Sequence, residues 1–357
     1  MRVQSSATAS APIAVPAESE HRGRGTAQAA LGVAAFSLTF PATAWGLEGF
    51  GPWSLTALRG VVAALVAGAC LLLAGRRPGG RETGTAAEGL RVGPGTAAEG
   101  LRGSGSPAEG LRLGSGRTAR DGLRGTGRRV RLPERRHLPG LAVVAAGVVL
   151  GFPLLTTLAL QTSTTAHAAV VVGLLPLTTA AFSALRGGTR HSRRFWAAAL
   201  AGAAAVLAFT LAQNGGALTA ADGFLFAALV VCAAGYTEGG RLARVMPGWQ
   251  VIGWALVLCL PLSVPGAALA LAYEPVRPGV HGAVGLLWVA VGSQFLGLLL
   301  WYRGMAAVGV ARASQLQLAQ PLLTLVWSAL LLGEHLTAAA PLTAVAVLVC
   351  IAVTQRS

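Results

Sequence analysis

Two stretches decide the fold when one is laid over the other: Thr157–Gly188, TLALQTSTTAHAAVVVGLLPLTTAAFSALRGG, and Trp301–Leu336, WYRGMAAVGVARASQLQLAQPLLTLVWSALLLGEHL. A shift of 145 residues sets His167 on Arg312, Ala168 on Ala313, Pro176 on Pro321, Leu177 on Leu322, Thr179 on Thr324 and Ser183 on Ser328. The chain therefore reads as two related halves. What each half contains follows from its hydropathy.

Of 357 residues only 11% are charged, against roughly a quarter in a soluble chain, and the mean hydropathy is +0.61. A membrane protein is the expected class. About 20 apolar residues span the hydrocarbon as a helix, and ten segments of nearly that length recur: 30–47, 53–74, 140–160, 166–185, 195–213, 221–240, 250–272, 283–302, 313–332 and 338–354. The fold class expected is all-α integral membrane, with about ten transmembrane helices. Five helices per half is an odd number, so the second half enters the membrane from the opposite side, giving two inverted five-helix repeats. The expected division is a disordered tail at 1–26, a first repeat at 27–213 interrupted by an insert at 75–139, and a second repeat at 214–357.

The arginines set the orientation. With the N-terminus in the cytoplasm, 26 of the 28 fall on the inner side, Arg277 alone lies in an outer loop, and Arg59 lies within the second segment. Both termini are expected in the cytoplasm and the chain in the plasma (inner) membrane, with no cleavable signal peptide ahead of the first segment. The insert repeats TAAEGLR-like phrases at a drifting spacing of 11, 10 and 12 residues, which excludes a stacked solenoid. It is rich in Arg and Gly but holds no aromatic residue between Arg76 and His137 for base stacking. A disordered cytoplasmic loop near anionic lipid is expected rather than a nucleic-acid arm.

Several short runs resemble the EamA family of the drug/metabolite transporter superfamily: Leu58-Arg59, the Ala-rich approach to Pro176-Leu177, ARAS at Ala311–Ser314 before Gln320-Pro321, and Leu332-Gly333-Glu334. The resemblance covers the ten segments and excludes the tail and the insert. It implies a ten-helix carrier of amino acids, metabolites or toxic compounds. The first half departs from the pattern, closing with Arg186-Gly187-Gly188-Thr189 where a Gly-Glu pair is usual.

The ninth segment carries a polar stripe, Ser314, Gln317, Gln320, Thr324, Trp327 and Ser328, at spacings that share one helix face. An amide without a partner is costly in lipid, so the stripe must face other helices or a wet cavity. Gln317, Gln320, Thr324 and Trp327 are expected to bind solute; helix-to-helix packing is the alternative. Gln294 and Trp301, seven apart, are expected on one face of the eighth segment, although Trp301 and Tyr302 equally suit an interface belt before Arg303. Glu238, with Arg241 one turn on, is either an ion pair near the headgroups or a coupling carboxylate. His167, at the outer start of the fourth segment, is either a polar cap or a pH sensor. Arg59 is expected near the outer headgroups in a structural role. Pro41, Pro153, Pro176 and Pro321 interrupt the first, third, fourth and ninth segments and direct attention to the helices around a site.

These features read as a carrier working by alternating access, with efflux expected, a small-molecule substrate, the lipid bilayer as surroundings and a homodimer as the candidate assembly. There is no Walker-type phosphate loop, HExxH or GxSxG, and the four cysteines stand apart in apolar segments, so no enzyme activity, cofactor, metal or disulfide is expected. A membrane enzyme or lipid-handling protein would need paired acids or a His-acid cluster at one face. A membrane-anchored regulatory protein would act through the basic loop.

Overall fold

The structure, a computed structural model, describes residues 16–76, 132–187, 192–308 and 316–356. Every regular element among them is helical. Seven helices are long and apolar enough to cross a membrane: α1 (Gly23–Gly49), α2 (Pro52–Ala74), α3 (Arg135–Ala159), α4 (Thr165–Arg186), α5 (Arg193–Gln213), α6 (Ala220–Leu242) and α8 (Val280–Gly304). α7 is a pair, Gly248–Leu258 and Leu260–Tyr273, bent by 46°, and α9 (Ala319–Leu332) and α10 (Ala339–Val353) are shorter apolar helices. These elements match the ten expected segments in order. The protein is a multi-pass membrane protein.

Two boundaries differ from expectation. The first helix starts at Pro16, inside the stretch expected to be a disordered tail, because Ala, Glu and Arg there are good helix formers. Of the expected insert, residues 77–131 lie outside the described residues, and its last residues form the 3₁₀ turn at Arg135–His137 that opens α3. Leu72–Val130 form a unit apart from the body of Met1–Leu71 and Arg131–Ser357; of that unit only the end of the α2 helix, to Arg76, is described.

Prolines place the interruptions. A proline has no N–H for the preceding turn and its ring crowds the carbonyl four residues back, so a helix resumes with proline in its first turn. α1 breaks at Leu38 and resumes before Pro41. α4 breaks at Gly173 and Leu174 before Pro176, and helix at Leu316 and Gln317 breaks at Leu318 before Pro321. Pro153 follows a π-helical stretch of α3, Ala145–Gly151. A second π stretch, Trp288–Gly297, lies in α8, where the shift of 145 residues would place it.

Small residues set the packing. α1 packs along α8, and α6 along α3. A Cβ on Gly285 would clash with Ala42 O and Gly46, and one on Gly147 with Val231 O, so both helix pairs meet backbone to backbone.

The contacts sort the connections into two ends. At one end Arg277 N donates to Gly49 O (2.9 Å), Ser54 N to Glu274 (2.7 Å), Thr165 N to Glu334 (2.8 Å) and Gln213 Nε2 to Thr337 Oγ1 (2.6 Å). At the other end Arg186 meets Glu238, Gly248 abuts the Tyr302 ring and Gly304 abuts Ala29. The chain thus alternates direction from helix to helix. Among the described residues, Arg186, Arg241, Arg244 and Arg303 lie at this second end, the arginine-rich one.

Candidate solute site

The paired breaks of α4 and α9 face each other. Between them lies a small cavity of about 20 Å³, lined by Val172, Leu175 and Pro176 on one side and Gln317, Gln320 and Pro321 on the other. Under the shift of 145 these are equivalent positions, Val172 with Gln317, Leu175 with Gln320 and Pro176 with Pro321. Pro176 has no N–H to offer Val172 O, and Pro321 none to offer Gln317 O, so the breaks leave two carbonyls of the cavity wall without their helical donors. Phe40, in the resumed part of α1, and Thr324, deep in α9, complete the polar and aromatic contacts. Room for about one water molecule is all that the cavity holds in this conformation.

The expected stripe divides into two kinds of residue. Gln317, Gln320 and Thr324 line the cavity, whereas Trp327 and Ser328 tie helices together. Thr324 Oγ1 donates to Ser37 O (2.9 Å), and Trp327 Nε1 donates to Ser37 Oγ (3.0 Å), so the break in α1 is held by α9. Ser328 Oγ lies 2.6 Å from Thr165 Oγ1 and binds the start of α4. Ser314 lies outside the described residues.

Gln294 and Trp301 part company. The π stretch ending at Gly297 adds residues to the turn and shifts the phase between them, so a spacing of seven no longer means one face. Gln294 is buried in the core, where Arg59 Nε donates to its Oε1 and its own Nε2 donates to Val149 O (3.3 Å). Trp301 and Tyr302 are each 6% exposed, not belt residues, and Trp301 meets Phe36 edge to face at 6.4 Å. Neither Gln294 nor Trp301 lines the cavity. Arg59 too is buried, at 6% exposure, rather than at the headgroups: it is aimed at Gln294 inside the bundle.

His167 and Glu238 lie at opposite ends of α4 and α6. His167 Nε2 is 2.7 Å from Asp222 Oδ1, and the His167 ring stacks on Phe209 at 5.4 Å. Asp222 is fully buried and also accepts from Thr219 N (2.8 Å), Thr219 Oγ1 (2.7 Å) and Asn214 Nδ2 (2.8 Å). Beside it, Glu334 accepts from Thr165 N and Ala166 N (2.9 Å), capping α4. Gly333, with φ of 65°, turns the chain out of α9 and so delivers that carboxylate. At the other end Glu238 makes the expected pair with Arg241 (2.8 Å), and Arg186 of α4 approaches it at 3.5 Å. The carboxylate is only 4% exposed and joins α4 to α6 rather than lying free at the surface.

Ser37, Asp222 and Glu334 were not singled out for these roles by sequence. Asp222 carried a signal, the Thr219-x-x-Asp222 capping box, which the structure forms. Of the cysteines, Cys232 and Cys259 are buried and Cys350 is partly buried, whereas Cys70, also in an apolar segment, is exposed. Among the described residues no group of three or more His, Cys, Asp or Glu is placed to hold a metal.

Comparison with known proteins agrees with this architecture. Residues 219–355, α6 through α10, match the model of the EamA-like transporter family. The uncharacterized transporter YdeK of Bacillus subtilis (strain 168) is 45% identical over 227 residues, which is 63% of this chain and 78% of YdeK. A protein crystal structure superposes over 92% of this chain and 97% of its own, with a TM-score of 0.55 at 20% identity, a likeness of fold.

Proposed function

Since the chain belongs to the EamA-like transporter family, we propose that it exports a small polar organic solute across the plasma membrane by alternating access, gripping it between α4 and α9. The observation that carries this reading is the cavity between paired helix breaks, with the amides of Gln317 and Gln320 on one wall and the apolar Val172 and Leu175 on the other. An amide both donates and accepts, so it orients a polar solute while the apolar wall packs the remainder. The matching breaks, the matching π stretches and the exchanged packing of α1 on α8 and α6 on α3 support two inverted repeats, 27–213 and 214–357. On that reading the arginine-rich end faces the cytoplasm.

The cavity is too small for an amino acid, so this conformation corresponds to a closed state, and transport requires one end to part. At the outer end the ties are Glu334 to α4 and His167 to Asp222; at the inner end, Glu238 to Arg186. His167 and Glu238 act as gating residues in this scheme, and no bond chemistry is assigned to the chain. The test is an untargeted comparison of extracellular metabolites between cells with the protein and cells with Gln320→Leu at equal membrane abundance. A solute exported by the first and retained by the second is the expected result. Identical metabolite profiles would sink the reading.

A further inference from the structure

Arg59 is a cation buried in a membrane-spanning bundle, and among the described residues no carboxylate pairs with it. Its one hydrogen-bond partner there is Gln294 Oε1, reached through Nε, which leaves the terminal Nη edge of the guanidinium unmatched. Gln294 cannot turn to serve it further, because its Nε2 is held by Val149 O. A charge in this position is costly and is retained where it meets an opposite charge.

Among the described residues four buried side-chain polar atoms have no partner; one, Thr179 Oγ1, is on α4, and the other three lie on α2, α7 and α8. Thr56 lies one turn before Arg59 on α2, on the side toward which a helical side chain leans. Other buried hydroxyls bond back to their own helix, as Thr43, Thr156, Thr157 and Thr210 do, but Thr56 Oγ1 has no partner. Ser263 Oγ of α7, packed on Gly60 beside this row, also has none. Trp288 Nε1 of α8, packed on the cluster containing Leu55, is the third. A guanidinium and an indole only donate, and two free hydroxyls can donate. The missing complement is therefore an acceptor with negative charge.

We infer that Arg59, with Thr56 and Ser263, forms a subsite for the carboxylate of the transported solute. The free Nη edge presents two parallel N–H groups, the geometry a carboxylate takes end-on. Hydrogen bonds run from beside Gln294 to the cavity wall across the break in α1: Thr39 Oγ1 is 2.7 Å from Ser293 Oγ, the residue before Gln294, and Thr324 of the wall donates to Ser37 O (2.9 Å). This inference rests on the carrier reading and narrows its substrate to carboxylate-bearing solutes.

The experiment measures thermal stabilisation of the purified full chain by acetate, lactate and the neutral L-amino acids, each beside its carboxamide. The amide keeps shape and hydrogen bonding but loses the charge. Expected are a carboxylate that raises Tm in the native protein while its amide does not, loss of that response in Arg59→Gln, and binding about tenfold weaker in Arg59→Lys, which keeps charge but not the fork. Arg59→Gln should itself melt no lower than the native protein without ligand, since a neutral group is cheaper to bury. A large drop in its ligand-free Tm, equal responses to acid and amide, or no response to any carboxylate overturns the proposal. If Arg59→Gln does not accumulate, Thr56→Val and Ser263→Ala decide: binding about tenfold weaker in either upholds it, and unaltered binding in both overturns it. An uncharged solute found in the metabolite comparison would remove this subsite and leave the carrier reading standing.

Discussion

α4 and α9 break at equivalent points, Gly173 and Leu318, and each resumes toward a proline, but they present different chemistry to the space between them. α4 offers Val172 and Leu175; α9 offers Gln317 and Gln320. Backbone geometry is matched at the two breaks and the chemistry of the two cavity walls is not. Proline fixes a break by removing a donor, whatever the side chains nearby, whereas an amide at a cavity wall is replaced by an aliphatic without loss of the helix. Under the proposed function, such a carrier would keep two similar halves to move and one distinctive wall to recognise its solute.

The strongest attack on this contrast makes the walls alike. Gln317→Val with Gln320→Leu gives α9 the residues of α4, and export should fall about a hundredfold at unchanged protein level, two hydrogen bonds being lost. Export within about twofold of native would end the contrast. Next is the cap that only the second half supplies: Glu334→Ala strands the donors at the start of α4, buried against α9, and should cost about 2–3 kcal/mol, read as a lower Tm in detergent. Glu274→Ala, which removes a partly exposed cap on α2, should cost about 1 kcal/mol. Equal losses would show that burial does not distinguish them. Smaller again, Pro321→Ala should slow export more than Pro176→Ala, about tenfold against about twofold, because it returns a donor to the carbonyl of Gln317 at the recognising wall. The mildest change, Val172→Gln, should leave stability within about 1 kcal/mol and alter the ratio of exported solutes.

The ten helices, their order and the arginine-rich end were legible in the chain because they depend on composition over about 20 residues and on charge in the connections, quantities that need no knowledge of neighbours. The paired breaks were legible as prolines. Gln317, Gln320 and Thr324 could be grouped by period alone, and they share the cavity wall. Trp327 and Ser328 belonged to the same period yet serve Ser37 and Thr165, since period names a face and not the helix opposite it.

What only the tertiary structure decided were partnerships across long separations. Arg59 and Gln294 are 235 residues apart, His167 and Asp222 are 55 apart, and Glu334 reaches back 169 residues to Thr165. A buried polar side chain in a membrane must find a partner, and sequence states that need without naming who meets it. The π stretch in α8 adds a second reason. It alters the helical phase between Gln294 and Trp301, a backbone geometry that a regular repeat of 3.6 cannot anticipate. Local preference therefore fixed which segments cross the membrane, and the contacts between them fixed which polar groups meet inside it.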